Sequence, residues 1–557
     1  MKKRFFTSLT IGCTLAGALF AQGISGPYLA AKSANRANDY AEAAHYYSLA
    51  MVEDPENGFI MQGAMVAMVA AGDLDAAVLV AQKMSDAGFT DGYGQTLLVA
   101  QAFAEADYPT TLALLADDRF EVNPLIKALV AGWVLAAQGD IDAATAHFSR
   151  HGENGAINSF SNYHNALALA LAGDFPAAEQ ILAAGDAYVN RGSILAHAEI
   201  LAVLGQRDAA LDLMMQGAGQ TVADREADSL RLALSNGQPV EFTWVLGPSD
   251  AVSETFLVLA DALNGDNSPR LALFFARLAQ LNQANNTEAL LLIAEILTTQ
   301  DQYDLAVDAY AKIGNDDPFA VNAAIGHASA LQRSGNPDEA VIVLEMLVEN
   351  QSDDLTAWRA LGDVLRRESR FDAAADAYAK AIDLLPDPDL PGAWRLYYTR
   401  GIAAHRVKDW PVADWNFRQA LALNPDQPDV LNYLGYSLVE RGEKLDEALT
   451  MIETAVSVQP DSGYIADSLG WIYYRLGRFE EAVPVMENAV SLLPVDPVVN
   501  DHLGDVLWMV GRDREARFQW RRALSFSPAD NDAERIRAKL ADGLDQVLRA
   551  ESDDSTN

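Results

Sequence analysis

Apolar positions in this chain fall into paired helical blocks, and the same pattern of large and small residues returns block after block. Pro386, Pro425, Pro460, Pro494 and Pro528 close successive copies at intervals of 39, 35, 34 and 34 residues. A fixed period near 34 predicts one helical hairpin, copied and stacked. Trp358, Leu361, Gly362, Leu365, Ala374, Tyr378, Ala381 and Pro386 make one complete unit. Gly362 and Ala374 are small where two helices must cross closely. Tyr378 fills the space between hairpins. Pro386 has no N–H and a fixed φ, so it stops the second helix.

Later copies keep the skeleton: Gly401, Ala413, Phe417 and Pro425; Leu434, Gly435, Ala448 and Pro460; Leu469, Gly470, Ala482 and Pro494; Leu503, Gly504, Ala516, Trp520 and Pro528. The skeleton resembles the tetratricopeptide repeat. That resemblance implies an all-α fold, a right-handed superhelical solenoid of stacked hairpins with a capping helix at its C-terminal end. The two departures from 34 read as loop insertions, one in Asp387–Gly392 and one in Arg441–Lys444. Upstream the signal weakens but keeps phase through Ala306, Tyr310 and Pro318, and through Ala43, Tyr47, Ala50 and Pro55. Gly139-Asp140, Gly173-Asp174 and Gly205-Gln206 mark hairpin turns, and about 13 units are expected in all.

Phase is lost from about Gly217 to Glu254, where Val240, Phe242, Trp244 and Leu246 alternate with other residues. Two readings stand there, a short extended segment and a degenerate repeat with a long loop, and the second is preferred. The expected organisation is a signal peptide over 1–21, a degenerate array over 22–222, an irregular break over 223–252, a second array over 253–530, a capping helix over 531–550 and a disordered tail over 551–557.

The formal net charge of −38 argues against nucleic acid and anionic lipid, both of which need a positive surface, and favours basic or neutral partners. Lys2, Lys3 and Arg4 precede the apolar run Phe5–Ala21, the pattern of a secretory leader cut after Ala18 or Ala21. Export to the periplasm is therefore expected. The only cysteine, Cys13, stands in a faint lipoprotein box, Thr10-Ile11-Gly12-Cys13. If it is lipidated, the chain is anchored to the outer membrane. If the leader is cut beyond it, disulfides, thiolate metal sites and a cysteine nucleophile are all excluded.

Catalytic signatures and phosphate loops do not appear, and the repeats leave no room for a catalytic domain; no enzyme activity and no cofactor is expected. His147 and His151 are four apart but have no third ligand at matching spacing. They read as a surface helix end, not a metal site. The candidate site is instead a partner-binding groove lined by the first helices of the hairpins. There Asn432, Asp467 and Asp501 share one position, and Tyr433, Ser468 and His502 the next. Tyr436, Trp471 and Asp505 lie one turn further on, with Tyr474 and Trp508 beyond; Arg359, Arg395 and Tyr398 take matching places upstream. Aromatic rings supply contact area at low entropic cost, and carboxylates orient N–H, Lys or Arg groups of a bound peptide. The alternative is that these residues pack against neighbouring hairpins. The acids stand where a carboxylate-gripping clamp would need donors.

The block Asn432–Tyr436, Asp467–Arg478 and His502–Trp508 is similar to bacterial envelope tetratricopeptide proteins that include adaptor lipoproteins of carboxy-terminal-processing proteases. The likeness covers roughly residues 355–530. It implies a non-enzymatic scaffold that brings a periplasmic protease to cell-wall (peptidoglycan) hydrolases. Three other functions are weighed beside it: a helper in outer-membrane or polysaccharide export, a glycosyltransferase-like enzyme carrying such repeats, and an apolar-groove lipid or glycan binder.

Overall fold

The computed structural model describes residues 24–89, 91–117, 119, 122–151, 155–217 and 224–554. The expected leader, its cleavage site and Cys13 lie outside the described residues, as do 555–557. All regular structure among the described residues is α-helical, in 31 helices. None of these helices is long and apolar enough to cross a membrane. The chain divides into two compact units, Met1–Val343 (unit 1) and Leu344–Asn557 (unit 2).

Unit 1 begins with six hairpins. They are Ser25–Arg36 with Tyr40–Glu53 (α1, α2), Gly58–Ala71 with Leu74–Asp86 (α3, α4) and Gly92–Ala104 with Tyr108–Ala116 (α5, α6). Pro124–Ala137 with Ile141–His151 (α7, α8), Gly155–Leu171 with Phe175–Ala183 (α9, α10) and Arg191–Val203 with Arg207–Gly217 (α11, α12) follow. A single helix, Arg225–Ser235 (α13), precedes two more hairpins, Pro248–Gly265 with Pro269–Asn282 (α14, α15) and Thr287–Thr299 with Tyr303–Tyr310 (α16, α17). Ala320–Arg333 (α18) follows, and Pro337–Asn350 (α19) runs across the boundary.

Unit 2 stacks five hairpins. They are Leu355–Arg367 with Phe371–Asp383 (α20, α21), Trp394–Arg406 with Trp410–Leu423 (α22, α23), Pro428–Arg441 with Leu445–Val458 (α24, α25), Gly463–Arg475 with Phe479–Leu492 (α26, α27) and Pro497–Met509 with Asp513–Ser525 (α28, α29). Asp530–Asp542 (α30) and Leu544–Asp554 (α31) close it.

The hairpin turn explains the Gly-Asp signal. The residue in the turn takes a left-handed backbone, as at Gly72, Gly139 and Gly173, and the aspartate after it caps the next helix. Asp73, for example, accepts from the N–H of Ala76, and Asp174 from that of Ala177. The extra residue between α24 and α25 is absorbed by two left-handed residues, Gly442 (φ 66°) and Lys444 (φ 46°). The other insertion lies between α21 and α22. Gly362 shows why the skeleton needs glycine: a Cβ there would meet the Tyr378 ring at 2.7 Å.

Three expectations change. The stretch 223–252 is not a boundary between units; it lies inside unit 1. It holds α13 and an extended segment whose Phe242, Trp244 and Val245 join the core of α1–α17. That segment has no strand partner. It is held by Glu199, whose carboxylate accepts from the N–H groups of Thr243 (2.8 Å) and Trp244 (3.0 Å). The one capping helix is two, because Gly543 (φ 84°) interrupts it. Finally, α31 carries helix through Asp554, so the first part of the expected tail is ordered, with Glu551 paired to Arg535 at 2.7 Å.

Candidate functional site

In a stack of hairpins the first helices share one face, here called the inner face. In unit 1 that face is covered by the chain itself. Helix α14 packs against α7, and α15 against α3 and α5. Helix α15 buries Leu273, Phe274, Phe275 and Leu278, and the Phe274 ring meets Tyr93 of α5 edge-on at 5.4 Å. Polar contacts fix its register. Arg270 donates to the carbonyls of Asn35 (2.8 Å) and Arg36 (3.1 Å) at the end of α1. The Arg277 guanidinium, pushed down to about 10 by burial, reaches the Ala70 carbonyl at 3.4 Å. Tyr40 donates to Gln300 at 2.7 Å.

A buried polar network lies beyond the covered face. Arg191 donates to Asp224 (2.7 Å), Glu226 (2.8 Å) and Glu288, and lies over the Phe319 ring at 5.2 Å. Trp244 donates to the Tyr163 hydroxyl (3.1 Å), which donates to Glu254 (3.0 Å). Burial pushes Glu254 up to about 7. Burial, with repulsion from nearby carboxylates that Arg191 only partly offsets, pushes Glu288 up to about 8. Arg191, Glu254, Glu288 and Phe319 line a cavity of about 290 Å³ with Asp261 and Glu295. Sequence reasoning missed this network: Glu254 and Glu288, like Asp261 and Glu295, lie one 34-residue period apart, but their partners Tyr163, Arg191 and Glu226 come from α9, α11 and α13.

Unit 2 keeps much of its inner face open. One cavity, about 340 Å³, is lined by Asn432, Tyr433, Tyr436, Asp467 and Ser468, together with His405, Glu440, Tyr464 and Val498. A second, about 440 Å³, is lined by Tyr436, Trp471, Asp501 and His502, with Glu440, Arg475, Val498 and Arg535. The two adjoin through Tyr436, Glu440 and Val498. Tyr464 (61% exposed) and Val498 (44% exposed) leave apolar surface at the rim. Burial raises the Tyr436 hydroxyl above its ordinary value, so it acts as a neutral donor or acceptor. The Asn432 side-chain oxygen is buried without a partner.

Arg359 and Arg395 are exposed on α20 and α22, and Arg395 lies over Trp394 at 4.6 Å. Tyr398 packs between Phe417 and Tyr433. Ser468 donates to the Tyr464 carbonyl at 3.1 Å, one turn back in its own helix. Tyr474 stacks on Trp471 at 4.7 Å, and Trp508 faces Trp520 at 5.4 Å and donates to Asp545 of α31 at 3.3 Å. None of these except Ser468 lines either cavity.

The groove acids are engaged within the chain. Both oxygens of Asp467 lie 3.0 Å from His502 Nδ1. The imidazole is stacked on Trp471 at 4.0 Å, so both faces of that indole are covered, by His502 and by Tyr474. Burial works against a charge on His502, but Asp467 outweighs it and the pKa is raised. Asp501 accepts from Lys539 of α30 at 2.8 and 2.9 Å. Asp505 accepts from Lys539 (2.7 Å) and from Trp520 Nε1 (2.9 Å). Sequence reasoning missed Lys539. Its signal was the spacing Ala533, Ile536, Lys539, which puts a lysine on the apolar face of α30.

His147 contacts the Ala128 carbonyl at 2.9 Å, and the His151 side chain lies outside the described residues. Among the described residues no group of three or more His, Cys, Asp or Glu is arranged to hold a metal ion.

Comparison with known proteins matches residues 288–320, 325–387 and 440–497 to the family described as tetratricopeptide repeat, together well under half of the chain. The chain is 32% identical over 174 residues to the TPR repeat-containing protein PA4667 of Pseudomonas aeruginosa, covering 31% of this chain and 28% of that protein. It is 25% identical over 190 residues to the human protein O-mannosyl-transferase TMTC1, covering 34% of this chain and 21% of that protein. It is 29% identical over 133 residues to the cytochrome c-type biogenesis protein CcmH of Escherichia coli, covering 23% and 38%. The chain thus spans well under half the length of these relatives. Among solved structures, the APC/C hetero-tetramer Cut9–Hcn1 aligns with 93% of this chain and 96% of its own at 15% identity, with a TM-score of 0.37. Tetratricopeptide repeats therefore occupy residues 288–320, 325–387 and 440–497, within a longer run of helical hairpins.

Proposed function

We propose that this chain is a non-enzymatic scaffold of the bacterial cell envelope, exported by its leader, and that unit 2 binds a segment of another protein. One observation carries the reading: two adjoining cavities on the inner face of α24, α26 and α28, walled by Tyr433, Tyr436 and Trp471 and rimmed by exposed Tyr464 and Val498. Their spacing along successive first helices suits an extended segment that sets side chains into both. In this reading the segment belongs to an envelope protein, with a processing protease and its cell-wall-hydrolase substrate as the first candidates. Unit 1, whose inner face is filled, serves as a rigid body rather than a second groove.

Crosslinking in the native envelope, followed by mass spectrometry, tests this. Crosslinks from unit 2 to a protease or a cell-wall hydrolase support it. The likeness to CcmH keeps an assembly helper as the second reading, and crosslinks to assembly or export machinery favour that one. The match to TMTC1 covers only 21% of that protein and brings no transferase reading with it. Turnover of a sugar donor by the purified chain would contradict the non-enzymatic reading.

A further inference from the structure

The acids of the inner face in unit 2 are satisfied in a regular way. Asp467 on α26 is met by His502 on α28, the next first helix. Asp501 and Asp505 on α28 have no further hairpin after them, and α30 supplies the cation instead. Lys539 is fully buried. Its ammonium touches three carboxylate oxygens at 2.7–2.9 Å and lies 5.9 Å from the centre of the Trp520 ring. Trp520 in turn holds Asp505 at 2.9 Å, and Arg535 approaches Asp505 at 3.5 Å. This is a seat for a lysine ammonium: paired carboxylates take the charge, and the indole ring lies within cation–π reach of it.

Few side chains hold the helix that fills the seat: beside Lys539 these are Ala533, Ile536 and the partly buried Leu540, whose carbonyl accepts from Arg517. Only Ala533, Ile536 and Lys539 of α30 are buried, while Asp530, Asp532, Glu534, Arg537 and Asp542 face solvent. It is joined to α29 through Ser527 (φ 54°) and Pro528. Its Asp532, Arg535 and Ile536 form one wall of the 440 Å³ cavity, so moving α30 lengthens the groove. The chain's charge of −38 favours a basic visitor.

We propose that Asp501, Asp505 and Trp520 form a lysine-binding subsite at the end of the groove. Lys539 fills it from within the chain, and a lysine-bearing segment of a partner takes it over by displacing α30. The proposal rests on unit 2 being the partner-binding part. It adds the chemistry of the partner and the element that gates the groove.

Hydrogen exchange of the full chain tests it, with a hexalysine peptide as probe and its Nε-acetylated form and matched NaCl as controls. Buried pairs are little screened by salt, so NaCl leaves residues 530–542 protected. Hexalysine is expected to speed their exchange roughly tenfold, and the acetylated peptide to leave it unchanged. Lys539→Gln empties the seat and is expected to bind hexalysine roughly tenfold more tightly than the natural chain. Asp505→Asn is expected to lose the response to hexalysine. Continued protection of 530–542 at saturating hexalysine, an equal response from Asp505→Asn, or no gain in affinity for Lys539→Gln would overturn the proposal. The groove reading fails separately, if crosslinks at Tyr436 and Val498 capture no partner, an outcome the peptide measurements do not depend on.

Discussion

In unit 1 the helix laid on the inner face is α15, which buries Leu273, Phe274, Phe275 and Leu278 and packs on α3 and α5 as well as on α14. In unit 2 the nearest counterpart is α30, whose buried contribution is Ala533, Ile536 and a lysine. The two helices occupy the same kind of surface with a different balance: α15 buries Arg277 beside a large apolar face, and α30 buries its lysine beside only Ala533 and Ile536. Aliphatic and aromatic burial stabilises by about 25 cal/mol per Å² and is bound to the fold. A buried lysine between two aspartates loses much of its attraction to desolvation, so it sets position more than it adds stability. Unit 1 thus has a permanent filling, while unit 2 has an open groove with a replaceable end.

The contrast is sharpest where the filling is apolar. Phe274→Ala removes the ring that meets Tyr93, and unit 1 should lose about 3–5 kcal/mol in urea unfolding while the unit 2 transition stays in place. A loss confined to unit 2 would contradict the assignment of α15. In unit 2, Lys539→Ala leaves Asp501 and Asp505 buried without their cation. The expected cost is about 3 kcal/mol, felt locally as faster exchange in α30 and not as global unfolding. Global unfolding would make α30 part of the permanent core.

Trp471→Ala and Asp467→Ala release His502 from its stacked and hydrogen-bonded position. Both should keep full helix content and weaken partner binding by about 2 kcal/mol. Unchanged pull-down of the native partner by both variants would remove these residues from the site. The smallest effect concerns pH. Glu288 is held up at about 8, so between about pH 4.5 and 8 folded unit 1 keeps a proton that the unfolded chain releases. Its stability is therefore highest at the acid end and falls as pH rises towards 8. Glu288→Gln should raise the unit 1 melting temperature by about 2 °C at pH 8 and leave it unchanged near pH 5. An equal shift at both values would mean that Glu288 is charged throughout.

Much of this was legible in the residues. The proline period marks hairpin ends, and the Gly-Asp pairs mark turns that need a left-handed residue and a cap. Tyr436 with Trp471, which wall one cavity, came together because repeat phase places equivalent residues along one face. The covering of unit 1 was not legible. A repeat encodes contact between neighbours, and α15 carries Ala272 and Ala279 in ordinary phase while also contacting α3, some 200 residues earlier. The boundary was missed for a related reason. The phase breaks at 223–252, where Trp244 and Val245 enter the core of unit 1, whereas the division at Val343 falls inside α19. The acids were read as free because their cations, His502 and Lys539, lie 35 and 38 residues away in sequence.

The most direct test of the contrast places a photo-crosslinking residue at one inner-face position in each unit. Tyr436 and Tyr464 report on unit 2, and Tyr93, against α15, reports on unit 1. Adducts with another protein are expected from Tyr436 and Tyr464, and only intramolecular products from Tyr93. Intermolecular adducts from Tyr93, with none from the two unit 2 positions, would contradict that contrast.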